Sequence, residues 1–562
     1  MSYYRWPGVY TFDEEVDLEF PKCWMMAVPY AIPVRKPLDH WFELVFNSRS
    51  HAWSCEQLMV PTSKGTAWRS IEGLFYLGIR PASAEEAKQR EPIHRERMQP
   101  WIEDFEGIWR GKLIPELMAH YERLKNTDLK KLNNIELEDH FHYYTSVVQR
   151  RAFEIHYLPM FAAYTAYTQF EQLCRDLLGI DEDHPQFKKL MTGFTSIAYE
   201  VDRGLWQLSD QAIELGLEPV FKATPDDEEV LRKLEESEAG RKWLREFREF
   251  LSEHGWRSDR LFDICVPSWL EQPALALPVM RGNMAKGRGA FLKDQEQGRL
   301  IKEREEAEKD ALSRVPETNR EWFGKLMRTA QWSGIYSEEH DYYIDLYLSA
   351  LGRRILMEIG GRGAKAGVFD DVDDVNFLLY DEISRVLVNM ETSAYRKIIQ
   401  TRRQEYQRFV DGAPKMLAEK LLVGDPDWFF QNINCDPLNF VFAGTPKVKP
   451  ELKADLYGVA SAPGVAEGIA RVLMDPAQLA EVQPGEILVV PSTNPAWNPA
   501  FNFIKAVVTD AGGALSHAVI VARDYGIPCV GGTREATAKI KTGDRIKVDG
   551  DMNAVYILER AS

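Results

Sequence analysis

Hydrophobic and polar positions follow a helical period through the chain from about residue 100 to residue 440. The clearest example is a set of apolar residues at positions i, i+1, i+4, i+7 and i+8, which share one face of a helix: Trp243, Leu244, Phe247, Phe250 and Leu251. This pattern predicts a mainly α-helical domain over residues 1–441.

A start signal precedes the apolar set. Thr224 can cap the amino end of a helix, Pro225 fits its first turn, and Asp227 with Glu228 suit the positive end of the helix dipole. Further along, residues 294–315 are mostly charged at helical spacing, which is typical of a solvent-exposed helix face. We therefore expect one long helix after Thr224 and an exposed helix after residue 294.

The first 100 residues have a weaker period and are rich in proline and aromatic residues, among them Trp6, Trp24, Trp41 and Trp68. We expect residues 1–100 to form an irregular segment that wraps over the helical core. Two interpretations of these aromatic side chains remain open. They form either the wall of an acceptor pocket or an extension of the hydrophobic core.

A different pattern follows a glycine- and proline-containing stretch at residues 442–456, which predicts a hinge linker. Short β-rich runs then alternate with turns, and a helix is indicated between a Ser516 cap and Gly526. Residues 457–562 are therefore predicted to form a small α/β domain of β/β/α type. The fold class is multidomain, a mainly α-helical domain followed by this small domain, which we expect to take more than one orientation.

Composition narrows the classes of partner. The formal net charge of −17 argues against nucleic acid or an anionic membrane as a partner, because both would repel the chain. Six cysteines are scattered without the spacing of metal ligands, as expected of reduced thiols. No apolar run is long enough to cross a membrane, and no export signal is recognised. These features predict a cytoplasmic protein.

One histidine stands out in the segment GGALSHAVIVARDYGIP, residues 512–528. His517 follows a glycine turn and begins the predicted helix, where free backbone N–H groups and the helix dipole stabilise an anion. A neutral imidazole can attack phosphorus and hold the phosphoryl group as a covalent intermediate. His517 is therefore a predicted phosphoryl carrier, and the alternative is a histidine that only caps a helix beside the sheet.

Four blocks occur in order after residue 456: YGVASAPGVAEGIARV, PGEILVVPSTNPAWNP, AVVTDAGGALSHAVIVARDYGIPCVGGT and GDRIKVDGDMNAVYI. They resemble the phosphohistidine swivelling domain of the phosphoenolpyruvate synthase and pyruvate phosphate dikinase superfamily. The resemblance implies that His517 is phosphorylated and that five residues around it bind the phosphoryl group: Thr509, Gly512, Gly513, Ser516 and Arg523. Leu515 stands where the dikinases carry a regulatory threonine, so that control is not expected here.

The helical part has a resemblance of its own, in residues 250–273 and 336–383, to the acceptor-binding domain of rifampin phosphotransferases. A helical domain joined to a swivelling domain, with the nucleotide domain on another chain, resembles the larger subunit of phenylphosphate synthase. The resemblance implies an ATP-grasp partner subunit that holds ATP with Mg²⁺ or Mn²⁺, and a phenolic or similar small-molecule acceptor. No glycine-rich phosphate clamp precedes residue 440, and no barrel for pyruvate follows the swivelling domain. We therefore expect no cofactor on this chain.

Candidate acceptor-site residues lie in the segment YSEEHDYYID. His340 is a candidate base with Glu339 as the group that orients it, and three arginines are candidates to bind the phosphoryl oxygens: Arg353, Arg354 and Arg362. The alternative is that Glu338 and Glu339 pair with nearby helix arginines and that His340 is a satisfied surface histidine.

Residues 138–157 contain His140, His142 and His156, which raises the question of a metal. Positions i and i+2 of a helix do not share a face, so His140 and His142 do not chelate together and no metal is predicted. The sequence thus predicts a subunit of an ATP-dependent phosphotransferase that carries a phosphoryl group on His517 to a phenol-like hydroxyl. The alternatives are another small-molecule hydroxyl, or a non-catalytic phosphocarrier or regulatory protein.

Overall fold

The computed structural model describes residues 9–10, 22–28, 34–195, 197–258, 260–285, 287, 293–390, 394–439 and 446–561. Its α-helices, which make the part before residue 440 mainly helical, have these bounds: α1 Pro37–Leu58, α2 Ala84–Ile108, α3 Ile114–Asn126, α4 Asn134–Tyr143, α5 Arg150–Leu178, α6 Pro185–Leu190, α7 Ile197–Glu214, α8 Glu218–Ala223, α9 Asp227–Leu234, α10 Glu238–His254, α11 Leu277–Ala285, α12 Lys293–Arg314, α13 Glu317–His340, α14 Tyr347–Lys365, α15 Tyr380–Val388, α16 Ala394–Glu419, α17 Pro426–Asn432, α18 Asn498–Phe501, α19 His517–Tyr525 and α20 Ala536–Lys539.

Two sheets accompany the helices. Their strands are β1 Val9–Tyr10, β2 Cys23–Met26, β3 Ser63–Ile71, β4 Leu74–Pro81, β5 Leu422–Gly424, β6 Leu456–Tyr457, β7 Ala460–Ala462, β8 Val465–Val472, β9 Ile487–Val490, β10 Ala506–Thr509, β11 Cys529–Gly531, β12 Arg545–Asp549 and β13 Ala554–Glu559. The first sheet has the strand order β1-β3-β4-β2-β5, and the second has the order β6-β13-β12-β8-β9-β10-β11-β7. All strands of the second sheet therefore come from the predicted small domain or from the residue next to it.

The first sheet corrects the prediction of an irregular segment over residues 1–100. Within the described part of that range, the chain forms α1, most of α2 and an antiparallel pair, β3 and β4. Six consecutive residues of β4, from Leu74 to Ile79, are buried, so this strand lacks the alternation of polar and apolar positions that reveals a strand in a sequence. Trp24 and Trp68 are buried in the main core, which supports the core interpretation of these aromatic residues.

The apolar set around Trp243 lies on α10, but the predicted start signal is wrong. Ser237 caps α10 by accepting a hydrogen bond from the N–H of Gly240. Asp226, not Thr224, caps the separate short helix α9. The chain breaks between α9 and α10. The sequence pattern looks continuous across this break because its residues are charged, like the exposed faces of the two helices. The predicted exposed helix after residue 294 is confirmed as α12.

Helices α5 and α13 pack along each other and form the centre of the helical part. A π-helical turn borders each of them, at Tyr144–Gln149 before α5 and at Asp341–Leu346 after α13. Such turns rotate the following side chains relative to a regular helix and occur often at functional sites. Both helices present side chains towards the second sheet.

The second sheet confirms the predicted α/β pattern. Strands β8, β9, β10 and β11 are parallel neighbours, and α19 connects β10 to β11. Gly526 ends α19 in the left-handed conformation, as the sequence predicts. The domain boundaries at 441 and 457 stay predictions, and residues 442–445 of the predicted hinge lie outside the described residues.

Polar contacts hold the small domain against the helical part. The amine of Lys188 donates to the hydroxyl of Ser461 at 3.2 Å and to the carbonyl of Gly550 at 3.1 Å. The Tyr525 hydroxyl donates to Asp202 at 2.6 Å. Leu515 and Ile520 join the core of the helical part, so one side of α19 is sealed against it.

All six cysteines carry free thiols, as the sequence predicts. In the part of the chain that the structure describes, no helix is both long and apolar enough to cross a membrane.

Candidate active site

His517 lies at the carboxyl ends of two adjacent parallel strands. Thr493 follows β9, and the turn with Gly512 follows β10 and leads into α19. Ligands of open α/β sheets bind in the crevice outside these strand ends. Here the helical part covers the crevice, and a cavity of about 60 Å³ remains between the two.

The His517 ring is held by one nitrogen and open at the other. Its Nδ1 lies 2.8 Å from the hydroxyl oxygen of Thr493. Its Nε2 makes no hydrogen bond to any residue that the structure describes, although it lies 3.9 Å from Oε2 of Glu338. Burial, aided by the positive charge of Arg257, lowers the pKa of His517 to about 3. The ring is therefore neutral near pH 7 and can act as a nucleophile through Nε2.

The glycine turn brings backbone close to the ring. Gly512 has φ +132°, and a Cβ atom there would lie 2.8 Å from the Ser516 hydroxyl, so only glycine fits without strain. Ser516 stands at the cap position of α19, but its hydroxyl donates to the carbonyl of Gly513 instead of accepting a helix N–H. Thr509 ends β10 beneath this turn with a buried hydroxyl. Gly512 and Ser516 line the cavity, while Thr509 and Gly513 support the turn.

Glu338 faces His517 across the cavity. Its side chain is buried, and neither carboxyl oxygen has a hydrogen-bond partner among the described residues. Burial raises the pKa of Glu338 well above its usual range, and the nearby charges of Asp341 and Asp524 raise it further. A carboxyl group placed in this way can exchange a proton with a group bound beside His517.

The rest of the cavity wall comes from α5, α13 and the loop before α11. His156, Tyr157, Met160 and Tyr164 line it from α5, and Leu261 from the loop. The Tyr164 hydroxyl is paired with that of Ser337 at 2.8 Å. The wall is thus largely apolar and aromatic, with a few polar groups converging near His517, which is typical of a small-molecule site.

His340 lines the cavity, as predicted for an acceptor-site residue, and it is buried, not a surface histidine. Its predicted partner Glu339 is wrong as an orienting group. Glu339 accepts hydrogen bonds from the indole of Trp109 and the guanidinium of Arg110, away from the cavity. Consecutive helix residues point in different directions, so of the two glutamates it is Glu338 that reaches the site. The group beside His340 Nε2 is Asp341, at 3.2 Å.

The three predicted phosphoryl-binding arginines of the helical part do not line the cavity. Arg353 forms a bidentate pair with Glu271, and Arg354 donates to carbonyl groups at the end of α3. Arg362 pairs with Glu358 and donates to the carbonyl of Leu129. All three are on α14, beyond the π-helical turn, and their guanidinium groups hold neighbouring helices together.

Arg523 is also placed away from the predicted phosphoryl site. It lies in the last turn of α19, at the opposite end from His517, and donates to the carbonyl of Ser461 at 3.3 Å. Arg523 does not line the cavity that contains His517. The cation whose charge does reach His517 is Arg257, in the helical part.

Thr493, Glu338 and Arg257 are candidate site residues that sequence reasoning did not select. A signal existed for Thr493, because the ends of adjacent parallel strands meet at one edge of a sheet and Thr493 follows the strand before β10. Glu338 and Arg257 carried no signal of their own, since charged residues on helices are common and mostly exposed. Glu338 and Arg257 can be identified as site residues only from the way the helical part packs against the small domain.

Comparisons with known proteins fit this geometry. Residues 156–336 match the family model described as rifampicin phosphotransferase fourth domain. Residues 482–553 match the model described as PEP-utilising enzyme, mobile domain. The first match includes most of α5 and of α13 and ends two residues before Glu338. The second includes Thr493 and His517.

Three relatives extend the comparison. The chain is 28% identical over 412 residues to the uncharacterized phosphotransferase YvkC of Bacillus subtilis, which covers 73% of this chain and 48% of the relative. It is 28% identical over 509 residues to the chondramide synthase cmdD of Chondromyces crocatus, covering 87% of this chain and 13% of the relative. It is 27% identical over 345 residues to the rifampicin phosphotransferase of Streptomyces sviceus, covering 60% and 37%.

The chain spans about half the length of these relatives or less. The matched residues contain both walls of the candidate site, the helical wall with His156 and the small domain with His517. These matches support the resemblance to the phosphohistidine swivelling-domain superfamily: the chain is similar to the rifampicin phosphotransferases over residues 156–336 and to the mobile domain of the PEP-utilising enzymes over residues 482–553.

Proposed function

We propose that this chain is a phosphotransferase component that carries a phosphoryl group on Nε2 of His517 and transfers it to the hydroxyl of a small, phenol-like molecule. The observation that carries the proposal is the state of the His517 ring. It is neutral and nearly buried, it is held at Nδ1 by Thr493, and its free Nε2 points into a cavity between the two parts of the chain.

The transfer step balances with the groups present. The acceptor oxygen attacks phosphorus, the bond between Nε2 of His517 and phosphorus breaks, and the electron pair returns to the imidazole. The hydroxyl proton passes to an oxygen of the transferred phosphoryl group. The raised pKa of Glu338 favours its protonated form, so this carboxyl group, 3.9 Å from Nε2, donates a hydrogen bond at the site and does not act as the base. Arg257, the amino end of α19 and the backbone of the glycine turn stabilise the charge on the transferring group.

The lining of the cavity favours a small aromatic acceptor. Its volume of about 60 Å³ is smaller than the roughly 150 Å³ of a cavity that binds benzene, so the walls must move apart slightly to admit a ring. Tyr157, Met160 and Leu261 provide apolar walls for a ring. A cavity of about 860 Å³ lies elsewhere between the two parts, but His517 does not line it. A bulky acceptor would therefore require a different arrangement of the small domain.

Loading of His517 requires a second arrangement as well. In the docked arrangement only 8% of the His517 side chain is exposed, so a nucleotide-bound phosphate has no access to Nε2. We propose that the small domain leaves the helical part and receives the phosphoryl group from an ATP-grasp partner that holds ATP with Mg²⁺ or Mn²⁺. The contacts of Lys188 and Asp202 would break during this movement.

An isotope-exchange assay tests the carrier role without the loading partner. The purified chain is incubated with phenyl phosphate and ¹⁴C-phenol, and label in phenyl phosphate is measured. A covalent carrier supports this exchange because each half-reaction is reversible. We expect exchange with the wild type and none with His517→Ala, while His142→Ala, on an exposed histidine, behaves as the wild type.

Intact mass after incubation with a candidate partner and ATP provides the second readout. We expect one acid-labile phosphate on the wild type and none on His517→Ala. Exchange that persists in His517→Ala would refute the proposal. Loading without exchange for phenol, catechol or any other small alcohol would leave a phosphocarrier and refute the acceptor assignment.

A further inference from the structure

Four side chains with metal-binding atoms meet at the wall of the His517 cavity. His156 comes from α5, His340 from the end of α13, and Asp341 and Asp345 from the π-helical turn that follows. One ligand atom each of His156, His340 and Asp345 lies within 4.8 Å of the other two, and all three side chains are buried. We propose that these residues, together with Asp341, bind a divalent transition-metal ion beside His517.

His340 is oriented as a metal-binding histidine. Its Nδ1 lies 2.9 Å from the carbonyl oxygen of Tyr336, to which it donates a hydrogen bond. Metal-bound histidines commonly fix their ring by such a bond, which leaves the other nitrogen with a free lone pair. That other nitrogen, Nε2, faces Asp341 Oδ1 at 3.2 Å, a separation usual for two atoms that share an ion.

His156 supplies an independent observation. Its side chain is 1% exposed, and neither ring nitrogen makes a hydrogen bond within the described residues. Buried polar groups without hydrogen bonds are rare because their desolvation is costly. His156 Nε2 lies 3.8 Å from Asp345 Oδ1, which is too long for a hydrogen bond. An ion about 2.1 Å from each atom would fit between them and give His156 the partner that it lacks among the described residues.

The two aspartates point to the same conclusion. Asp341 and Asp345 are both buried and their side chains are hydrogen-bonded to each other. Two ionised carboxyl groups within hydrogen-bonding reach repel each other unless a proton or a cation lies between them. Asp341 and Asp345 are four residues apart and so share one face of the helical turn, the face on which Asp345 meets His156.

The donor set selects the kind of ion. Two imidazole nitrogens with carboxylate oxygens suit Mn²⁺, Fe²⁺, Co²⁺ or Zn²⁺ better than Mg²⁺ or Ca²⁺, which prefer oxygen ligands alone. The prediction of no metal considered only histidines close together in the sequence. His156 instead meets His340, which the packing of α5 against α13 brings next to it, with ring centroids 4.6 Å apart.

A second cluster, of His51, Cys55 and Asp436, also has suitable atoms close together. Its members already pair with neighbouring side chains: His51 Nδ1 with Thr66, His51 Nε2 with Asp436 at 3.2 Å, and Asp436 also with Ser63. This cluster is therefore the matched control for the first. The role of the ion at the first cluster rests on the proposed function: a position left open to the cavity would bind the acceptor oxygen and lower the pKa of its hydroxyl.

Metal binding is tested on the full chain, freed of metal with EDTA and titrated with MnCl₂. We expect one Mn²⁺ per chain by mass spectrometry of the metal, with ¹⁴N coupling from imidazole in pulsed EPR. Asp345→Asn should weaken Mn²⁺ binding at least 100-fold, and Cys55→Ser should leave it unchanged. Absence of bound Mn²⁺ and Zn²⁺ in the wild type, absence of ¹⁴N coupling, or loss of binding in Cys55→Ser alone would overturn the proposal.

Two further measurements separate this site from the carrier role. If Asp345→Asn does not fold by circular dichroism, the ¹⁴N coupling of the wild type still decides the question. His517→Ala should bind Mn²⁺ as the wild type does while its phenol exchange is lost. Metal binding without any effect of EDTA on exchange would refute the acceptor-binding role and leave the site itself standing.

Discussion

Replacing Thr493 with valine should impair His517 without changing the shape of the site. Valine has nearly the volume of threonine but lacks the hydroxyl that lies 2.8 Å from His517 Nδ1. In the proposed reaction Nδ1–H donates to this hydroxyl, which keeps the lone pair on Nε2 for attack on phosphorus. Because only 8% of the His517 side chain is exposed, water does not readily take the place of the hydroxyl.

The size of the effect follows from the loss of this partner. A buried N–H without an acceptor costs about 1–3 kcal/mol, which corresponds to a roughly 5- to 150-fold lower exchange rate. Thr493→Ser, which keeps the hydroxyl and loses only a methyl group, should remain within about threefold of the wild type. The phenol exchange assay measures both variants at equal protein concentration, after thermal unfolding has shown that both are folded.

Two results would refute this reasoning. The first is wild-type exchange in Thr493→Val, which would mean that the hydroxyl does not set the state of the ring. The second is an equal loss in Thr493→Val and Thr493→Ser, which would assign the effect to packing around the methyl group. Either result would remove the argument that Nε2 is the reacting nitrogen.

Two other predictions concern docking and pH. Tyr525→Phe removes the hydrogen bond to Asp202, which with a charged acceptor contributes about 1.5–3 kcal/mol. Phenol exchange should therefore fall about 10- to 150-fold, while partner-dependent loading, measured by intact mass, is unchanged. Equal loss of exchange and loading would contradict the docking role. The pKa of His517 is lowered to about 3 in the folded chain. Below about pH 6.5 the unfolded chain therefore binds a proton at His517 that the folded chain does not bind, and the free energy of unfolding decreases as the pH falls. In urea unfolding between pH 7.5 and pH 5, the free energy of unfolding of His517→Asn should decrease by about 2 kcal/mol less than that of the wild type. Identical pH profiles of the two proteins would contradict this.

Much of the small domain is predictable from its sequence because its determinants are local. The runs that form β9, β10 and β12 are apolar and bounded by turn residues, and Ser516 and Gly526 mark the ends of α19. The backbone requirement at Gly512 is local too, since it depends on the distance to Ser516 a few residues away. The position of His517 at the start of a helix therefore follows from the order of residues alone.

The first sheet and the true start of α10 are not local in this sense. β2 pairs with β5, a strand of three residues from the far end of the helical part, and no short window of sequence contains both. β4 is covered on both faces, so its pattern resembles that of a buried helix. Pairing between distant segments decides such elements, and sequence periodicity does not report it.

The sequence by itself determined the local position of the proposed carrier His517: after a glycine turn, at the amino end of a helix, in a small α/β domain. The tertiary structure decided which groups surround it. Glu338 faces His517 while Glu339 turns to Arg110, and His156 meets His340 across two helices. The physical reason is that a helix or strand sets the direction of each side chain, but only the packing of distant elements sets what that side chain meets.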